Sequence, residues 1–395
     1  MGASARGRSV LVGVLALAAA AIVLRDATVE AYADARPGLA AAAWANHPQV
    51  LVSQALTEIG QEAAQSRSPP REALAKMTNV AVLSPLLHDP FLVRGISLQQ
   101  AGRLPLAEQS FLAARQRAPR EAAPRYFLSQ LYLTTGREQA GLDELATLAR
   151  LLPNGPASVA PSLAAYARTS GSYGLKPIFR DHAELESAVL VEMAKDPANA
   201  NLALRLATRF TAPDGTGPDW AKVMLPKLAE AGEFEQAYRV WRAVGGTEAR
   251  GALFDPGFAG SPAPPPFNWA FRSDSAGFAE PDRRGGLHVL FYGREDSLLA
   301  SQTTLLTPGR YRLAMRVAGN PAGALRWSVK CAPGTAELLS MPLGDRANAG
   351  LVGEFTVGGD CPAQRFELIG RAADLPRQVD VTISALSLQG GPNGR

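Results

Sequence analysis

The sequence predicts an α + β multidomain chain in which a helical-repeat part precedes an antiparallel β-sandwich. Three observations predict this class: a 34-residue spacing of glycines and prolines, a series of short apolar runs separated by turn residues, and an uncharged apolar run near the N-terminus. At 395 residues, with 47% hydrophobic and 19% charged residues, the chain has the composition of a globular protein of more than one domain. We therefore expect four segments: a membrane or signal segment at 1–29, helical repeats at 30–250, a sandwich at 251–390 and a tail at 391–395.

The N-terminus has the pattern of an exported chain. Arg6 and Arg8 precede the uncharged run 9–24, which ends at Arg25. This run is short for a membrane span and long for the apolar region of a signal peptide, so its length leaves a retained anchor and a cleaved signal open. The nearest small-residue cleavage contexts lie at 31–35, which is far from the run and favours an uncleaved transmembrane helix. Because basic residues stay in the cytoplasm, we expect the remaining chain on the far side of a bacterial inner membrane, in the periplasm.

The helical part carries a repeat of 34 residues, which separates Gly102 from Gly136 and Pro119 from Pro153. In each unit a glycine permits the turn between two helices and a proline ends the second helix. We expect structural roles for Gly95, Gly102, Ala107, Phe111, Pro119, Tyr132, Gly136 and Pro153. A weaker third unit has the same offsets around Gly232, and we interpret its Trp241 as core.

A 34-residue period of paired helices with small residues at the helix crossings resembles the tetratricopeptide repeat. The resemblance implies a surface that holds a protein partner, since such arrays seldom carry chemistry.

From residue 251 onward the pattern changes to short apolar or alternating runs, which predict strands. The predicted strands are 267–272, 286–292, 301–306, 309–317, 325–330, 337–342, 351–357, 365–369 and 379–388. Strands at this spacing with Gly, Pro and Asp between them favour an antiparallel sandwich. The two cysteines, Cys331 and Cys361, lie in this part. They would be separate buried thiols in a reducing compartment, but export predicts a disulfide that closes a loop of about 30 residues.

Several stretches of this part carry a family resemblance. They are Phe254–Phe258, Pro266–Trp269, Leu306–Leu313, Trp327 with Cys331, and Cys361–Gln364. In these stretches the chain resembles the jelly-roll domain that follows tetratricopeptide repeats in membrane-anchored bacterial proteins associated with exopolysaccharide production. The resemblance implies a non-enzymatic periplasmic scaffold for exopolysaccharide or envelope assembly, with a protein partner on the repeats.

An alternative reading makes the sandwich a carbohydrate-binding module and the repeats its support. Sugars stack their C–H faces on aromatic rings while polar side chains bind the hydroxyls, so Trp269, Asn268 and Tyr292 are candidate glycan contacts. Trp327 shares one strand face with Leu325 and Val329, and we therefore expect it in the core.

The sequence offers no catalytic, metal-binding or cofactor-binding residues to predict. Its four histidines have no metal-ligand spacing, and the sequence contains no Gly-x-Ser-x-Gly, His-Glu-x-x-His or phosphate-binding glycine loop. An unsignalled pair of glycosidase carboxylates is the enzymatic alternative. The 40 basic residues are interspersed with 36 acidic ones, so we expect no nucleic-acid partner.

Overall fold

The structure is a computed structural model that describes residues 3–65, 69–170, 174–212, 214–246, 253–344, 349–375 and 377–391. Within these residues, fourteen α-helices precede eleven strands in two antiparallel sheets, which confirms the predicted fold class. The chain forms two compact units, Met1–Gly155 and Pro156–Arg395.

The helices follow one another along the first 243 residues. The first unit holds α1 (Ala3–Tyr32), α2 (Pro37–Trp44), α3 (Pro48–Ala64), α4 (Arg71–Leu83), α5 (Asp89–Gln100), α6 (Leu104–Arg117), α7 (Ala122–Thr134) and α8 (Glu138–Leu151). The next helices are α9 (Gly155–Ser170), α10 (Leu175–Asp181), α11 (Ala183–Ala194), α12 (Ala200–Leu206), α13 (Asp219–Glu230) and α14 (Phe234–Ala243).

Three helical hairpins turn in the same way, at equivalent positions of the repeat. Gly102, Gly136 and Gly232 have φ angles of 72°, 76° and 78°, a left-handed conformation that glycine adopts without steric cost. The residue after each glycine donates its N–H to a carbonyl of the preceding helix over 2.9 Å, from Arg103 to Leu98, Arg137 to Tyr132 and Glu233 to Leu228. This bond closes a Schellman motif, which ends the first helix of each pair.

The helices of one repeat cross where glycine leaves room for a ring. A Cβ added to Gly95 in α5 would lie 2.5 Å from ring carbons of Phe111 in α6. Phe111 is fully buried, together with Ala107, Leu128 and Leu131. Because Gly95 has no side chain, α5 and α6 can approach each other closely at this point.

The last helical hairpin packs against the segment that leads into the sandwich. The ring of Trp241 in α14 lies 5.3 Å from that of Phe254 and 5.6 Å from that of Phe267. The ring of Tyr238 lies 5.2 Å from that of Phe267. Like α10 to α12, helices α13 and α14 belong to the compact unit that contains the sandwich. The units divide after Gly155, whereas the last helix ends at Ala243 and the first strand begins at Ala270.

The sandwich is built from strands β1 (Ala270–Phe271), β2 (Ser273–Asp274), β3 (Gly277–Pro281), β4 (Leu287–Phe291), β5 (Ser297–Thr304), β6 (Gly309–Gly319), β7 (Leu325–Ala332), β8 (Glu337–Pro342), β9 (Ala349–Val357), β10 (Ala363–Gly370) and β11 (Val379–Gly391). One sheet has the order β1-β5-β10-β7-β8 and the other β2-β3-β4-β11-β6-β9. Inward-facing residues of both sheets form one core that contains Trp327, as predicted, with Phe366, Leu313 and Ile383.

Candidate functional site

Helix α1 is the membrane-anchor candidate. It is the helix in the described part of the chain that is long and apolar enough to span a bilayer, by the length and composition of Val12–Tyr32. Its apolar side chains are exposed, with Leu17 73% and Leu24 69% exposed. Such exposure suits a membrane span or a signal segment, since a soluble core helix would bury these residues.

The far end of α1 is part of the helical unit. Val29 and Ala33 are 0% and 1% exposed, and they share a buried cluster with Ala40 of α2 and Val50 of α3. One helix therefore carries both the apolar run and a piece of the domain core, without a linker between them.

Arg25 joins the end of the apolar run to helix α2. Its Nε donates to the carbonyl oxygen of Ala43 over 2.7 Å, and its guanidinium carbon lies 4.4 Å from the ring centre of Trp44. The Trp44 ring also meets His47 edge to face at 5.0 Å. A half-buried tryptophan thus lies beside the first charged residue after the apolar run.

Consecutive repeats are joined by ion pairs as well as by apolar packing. Nη1 of Arg137 lies 2.8 Å from Oε1 of Glu108, and the Arg137 guanidinium covers the ring of Tyr132 at 4.4 Å. The hydrogen bond from Arg137 lowers the pKa of the Glu108 carboxyl, while burial raises the pKa of Tyr132. Tyr132, expected from the sequence as a repeat residue, is thereby held in the junction between α6, α7 and α8.

A mostly apolar groove of about 440 Å³ lies between α4 and α5. Its lining includes Leu74, Met77, Phe91, Arg94 and Leu98. Exposed apolar side chains follow at the end of α4 and in the loop after it: Val82 is 77% exposed, Leu83 55% and Leu86 84%. An apolar groove with exposed large apolar neighbours has the character of a protein-binding surface.

Trp269 does not lie on the surface of the sandwich, contrary to its candidate role in glycan binding. It is 5% exposed, and its ring centre lies 5.1 Å from that of Phe258 and 5.8 Å from that of Trp327. Its indole N–H donates to the carbonyl oxygen of Asp255 over 3.0 Å. A ring covered in this way is part of the core and cannot stack on a sugar.

Asn268, the residue before Trp269, has a structural role. Its amide nitrogen donates to the carbonyl oxygens of Ser261 and Ala263 over 2.9 and 2.8 Å, and its side-chain oxygen accepts from the backbone N–H of Trp269. These bonds use the amide to hold the segment before β1, and the glycan role expected for the half-buried Asn268 stays a prediction. Tyr292 is half-buried just after β4, and its glycan role stays a prediction.

Cys331 and Cys361 form a disulfide, with their Cα atoms 5.4 Å apart. Cys331 lies in β7, and Cys361 precedes the neighbouring strand β10, where Gln364 pairs with Cys331. The buried Gln364 amide donates to the carbonyl oxygen of Cys361 over 2.9 Å. The bridge therefore ties the start of β10 to the end of β7.

The outer face of the five-stranded sheet carries partnered charges. Glu337 accepts hydrogen bonds from the Ser328 hydroxyl at 2.6 Å and from Arg326 at 3.1 Å. The Ser328 hydroxyl, helped by the nearby Arg326 and Lys330, lowers the pKa of Glu337. On the same sheet, Glu367 pairs with Lys330 at 2.7 Å and with Arg365 at 2.6 Å.

The outer face of the six-stranded sheet holds a polar groove of about 590 Å³. Its exposed lining side chains are Arg310 and Arg312 of β6, Glu354 and Thr356 of β9, and Gln389 of β11. Sequence reasoning missed this site. The alternation of arginine with apolar residues along β6 could have indicated an exposed basic face. Alternation alone does not reveal whether another part of the chain covers that face of the sheet.

Within the described residues, no group of three or more His, Cys, Asp and Glu side chains is arranged to hold a metal ion. His288 has its Nε2 3.0 Å from Oδ1 of Asp380 and its Nδ1 3.8 Å from Oε1 of Glu280. This is a surface cluster on β3, β4 and β11.

No protein-family model and no curated protein sequence matches this chain. Among solved structures, the chain is similar to TmCBM61 in complex with β-1,4-galactotriose, at 20% identity over 36% of this chain and 99% of that one, with a TM-score of 0.25. It is similar to the CBM22-1 xylan-binding domain of Paenibacillus barcinonensis Xyn10C, at 11% identity over 37% and 97% of the chains, with a TM-score of 0.26. It is also similar to PilF of Pseudomonas aeruginosa, at 11% identity over 51% and 77%, with a TM-score of 0.24. At these identities and TM-scores the similarities do not bear on what this chain binds.

Proposed function

We propose that this protein is a non-enzymatic scaffold, anchored by α1 in a bacterial inner membrane, with its helical units and sandwich in the periplasm. Its task in this proposal is accessory to exopolysaccharide or envelope assembly, through a protein partner bound on the helical repeats. The observation that carries the proposal is that α1 runs without interruption from the apolar run into the core of the first unit.

This continuity argues against removal of the apolar run. Cleavage after residue 33 or 35 would take Val29 out of a buried cluster and expose the apolar surface of Ala40 and Val50. A retained anchor keeps that cluster intact. The arginines before the run keep the N-terminus in the cytoplasm, and the disulfide between Cys331 and Cys361 fits an oxidising compartment.

The position of Trp44 supports an anchor that ends at Arg25. The run 9–24 has a helical length of about 24 Å, slightly less than the apolar thickness of a bilayer. Its end therefore falls close to the membrane surface, where tryptophan and arginine are favoured. In this placement α2 and the start of α3 lie directly on the membrane.

The partner site we propose on the helical unit is the groove between α4 and α5 with its exposed neighbours Val82 and Leu86. Leu86→Asp would place a charge in this patch without disturbing the core. Leu375→Asp on the sandwich, at a residue that is 77% exposed, is the matched control.

The test is complementation in a bacterium from which the gene has been deleted. We expect the deletion to reduce secreted polysaccharide, the wild-type and Leu375→Asp proteins to restore it, and Leu86→Asp to fail at equal protein level in the membrane. A photo-crosslinking residue at position 86 should give one discrete adduct in membranes. Normal secretion by the Leu86→Asp strain would reject the partner site.

A second function is favoured by the groove on the six-stranded sheet, namely binding of a polysaccharide by the sandwich. Arg310, Arg312, Thr356 and Gln389 present donors and acceptors together on one exposed face. Binding of soluble polysaccharides to the purified chain, with and without Arg312→Gln, tests it.

A further inference from the structure

We propose that the sandwich binds an acidic polysaccharide of the uronate type along a row of three arginines, Arg310, Arg312 and Arg316. This inference rests on the second proposed function, polysaccharide binding by the sandwich, and it names the chemical class of the ligand.

The row is set by the alternation of strand β6. Tyr311, Leu313, Met315 and Val317 are all 3% exposed or less and face the core, so the arginines between them face solvent. Their Cα atoms are spaced about 7 Å from Arg310 to Arg312 and about 13 Å from Arg312 to Arg316, at the rise of an extended strand. Since β6 pairs with β11 on one side and β9 on the other, the row lies on a rigid interior strand.

The three guanidinium groups form no ion pair within the described part of the chain. No described carboxylate lies within 4.0 Å of any of them. On the other sheet, by contrast, Arg326 and Arg365 are paired with Glu337 and Glu367. The three arginines outnumber the one carboxylate opposite them, Glu354, so this face keeps a net positive charge that a ligand can meet.

The neighbouring strands add groups that suit a hydroxylated acid. β6 and β11 change register at a bulge between Ser384 and Ser387, and the extra residue turns Gln389 to the outer face, opposite Arg312. Thr356 of β9 stands opposite Arg310, and Glu354 opposite Arg312. These side chains can bind sugar hydroxyls, while a guanidinium binds a carboxylate through two parallel hydrogen bonds.

The groove is less suited to nucleic acids, neutral sugars or a membrane surface than to an acidic polysaccharide. Its two lining rings, Tyr311 and Phe355, are 3% and 5% exposed and stack on each other at 5.7 Å, so they offer no face to a base or to a neutral sugar. A membrane-binding face would need a band of exposed apolar side chains, whereas the exposed groove lining is polar. Charge and hydrogen bonding are therefore the means of recognition that the groove offers.

The experiment measures binding of the full chain, in phosphatidylcholine nanodiscs, to polygalacturonate and to the same polymer after its carboxylates are reduced to alcohols. We expect binding of the acidic polymer only, and weaker binding as salt rises from about 0.05 to about 0.5 M. Arg310→Gln/Arg312→Gln should weaken binding by about tenfold or more, since it removes two charge-assisted contacts.

The matched control is Arg283→Gln/Arg284→Gln, which removes the same charge from two exposed arginines in the β3–β4 turn. This control should bind like the wild type, and equal melting temperatures would show that both variants fold. An equal loss in the two variants would mean long-range charge alone and would overturn the proposal. Tighter binding of oligothymidylate or of added phosphatidylglycerol vesicles than of polygalacturonate would also overturn the proposal.

Two further results separate this inference from the function on which it rests. Equal binding of the reduced polymer would leave polysaccharide binding in place and overturn the choice of an acidic ligand. Binding of neither polymer, nor of any neutral polysaccharide tried beside them, would reject both.

Discussion

The indole N–H of Trp241, in the last helix, donates to the carbonyl oxygen of Pro264 over 2.8 Å. Trp241 is fully buried, and Pro264 lies in the segment that leads into the first strand. The bond and the rings around it join a helical hairpin to a sandwich. We therefore expect α13, α14 and the strands to unfold as one cooperative body.

The first prediction concerns the stability of this junction. Trp241→Ala should lower the free energy of unfolding of the second unit by about 3–5 kcal/mol, because it opens a large cavity. Trp241→Phe should cost about 1–3 kcal/mol, since it leaves the Pro264 carbonyl without its donor. Urea unfolding followed by circular dichroism measures both, with the far ultraviolet reporting the helices and the near ultraviolet the aromatic packing.

Trp220→Phe is the matched control, because Trp220 is 2% exposed and its indole nitrogen has no hydrogen-bond partner among the described residues. It should cost less than Trp241→Phe. Loss of the helical signal in Trp241→Ala with an unchanged sandwich transition would contradict the single cooperative body.

The second prediction separates two kinds of repeat glycine. Gly95→Ala should destabilise the first unit by about 1–3 kcal/mol, because its Cβ would meet the ring of Phe111 at 2.5 Å. Gly102→Ala has open space around its Cβ and a φ of 72°, so it should cost about 1–2 kcal/mol through backbone strain alone.

Asparagine distinguishes the two causes, because it tolerates the left-handed conformation better than alanine does. Gly102→Asn should recover part of the loss, whereas Gly95→Asn should be worse than Gly95→Ala. Melting temperatures equal to that of the wild type in all four variants would show that neither glycine is required.

The repeat register could be predicted from the sequence because its causes are local. A glycine at positive φ and a proline after a helix act through their own backbone, so Gly102, Gly136 and Gly232 marked the turns. The strands of the sandwich were predicted where alternation was clear, and β8 matched its predicted bounds. Strand β3 (Gly277–Pro281) was missed because it is short and contains both glycine and proline.

The candidate glycan contacts could not be judged from local pattern. Trp269 precedes β1, and whether it is buried depends on the segment 253–268, which folds over it and brings Phe258 and Asp255 to its ring. The arginine row of β6 was visible as alternation, but its lack of partners depends on strands distant in sequence. Tertiary contacts of this kind decide the binding surface.

The third prediction tests the membrane placement of Trp44. The other four tryptophans, Trp220, Trp241, Trp269 and Trp327, are at most 5% exposed, so a quencher in the lipid should reach Trp44 alone. In vesicles with brominated acyl chains we expect partial quenching of fluorescence, stronger for bromines near the headgroups than for bromines near the bilayer centre.

Trp44→Phe should abolish this quenching while the protein stays in the vesicles. Protein that remains in vesicles without any quenching would place the membrane surface away from Arg25. Protein that leaves the vesicles would instead reject the anchor.

The fourth prediction concerns the disulfide. Cys331→Ser/Cys361→Ser should lower the free energy of unfolding of the sandwich by about 3 kcal/mol, because the bridge closes a loop across 30 residues. Thiol labelling of the denatured protein should find no free thiol before reduction and two after it. Two labelled thiols at the outset would argue against an oxidising compartment.

The last prediction is a pH dependence that arises from Glu337. The hydrogen bond from Ser328 lowers the pKa of this carboxyl in the folded chain. A group whose pKa is depressed by folding stabilises the folded state above its unfolded pKa, and that contribution is lost as the pH falls through the folded pKa. The difference in melting temperature between the wild type and Glu337→Gln should therefore shrink from about pH 7 to about pH 3. Ser328→Ala, which removes the hydroxyl donor, should raise the pKa of Glu337 and weaken this pH dependence. If Glu337→Gln lowers the melting temperature equally at both pH values, its effect comes from packing and not from the charge.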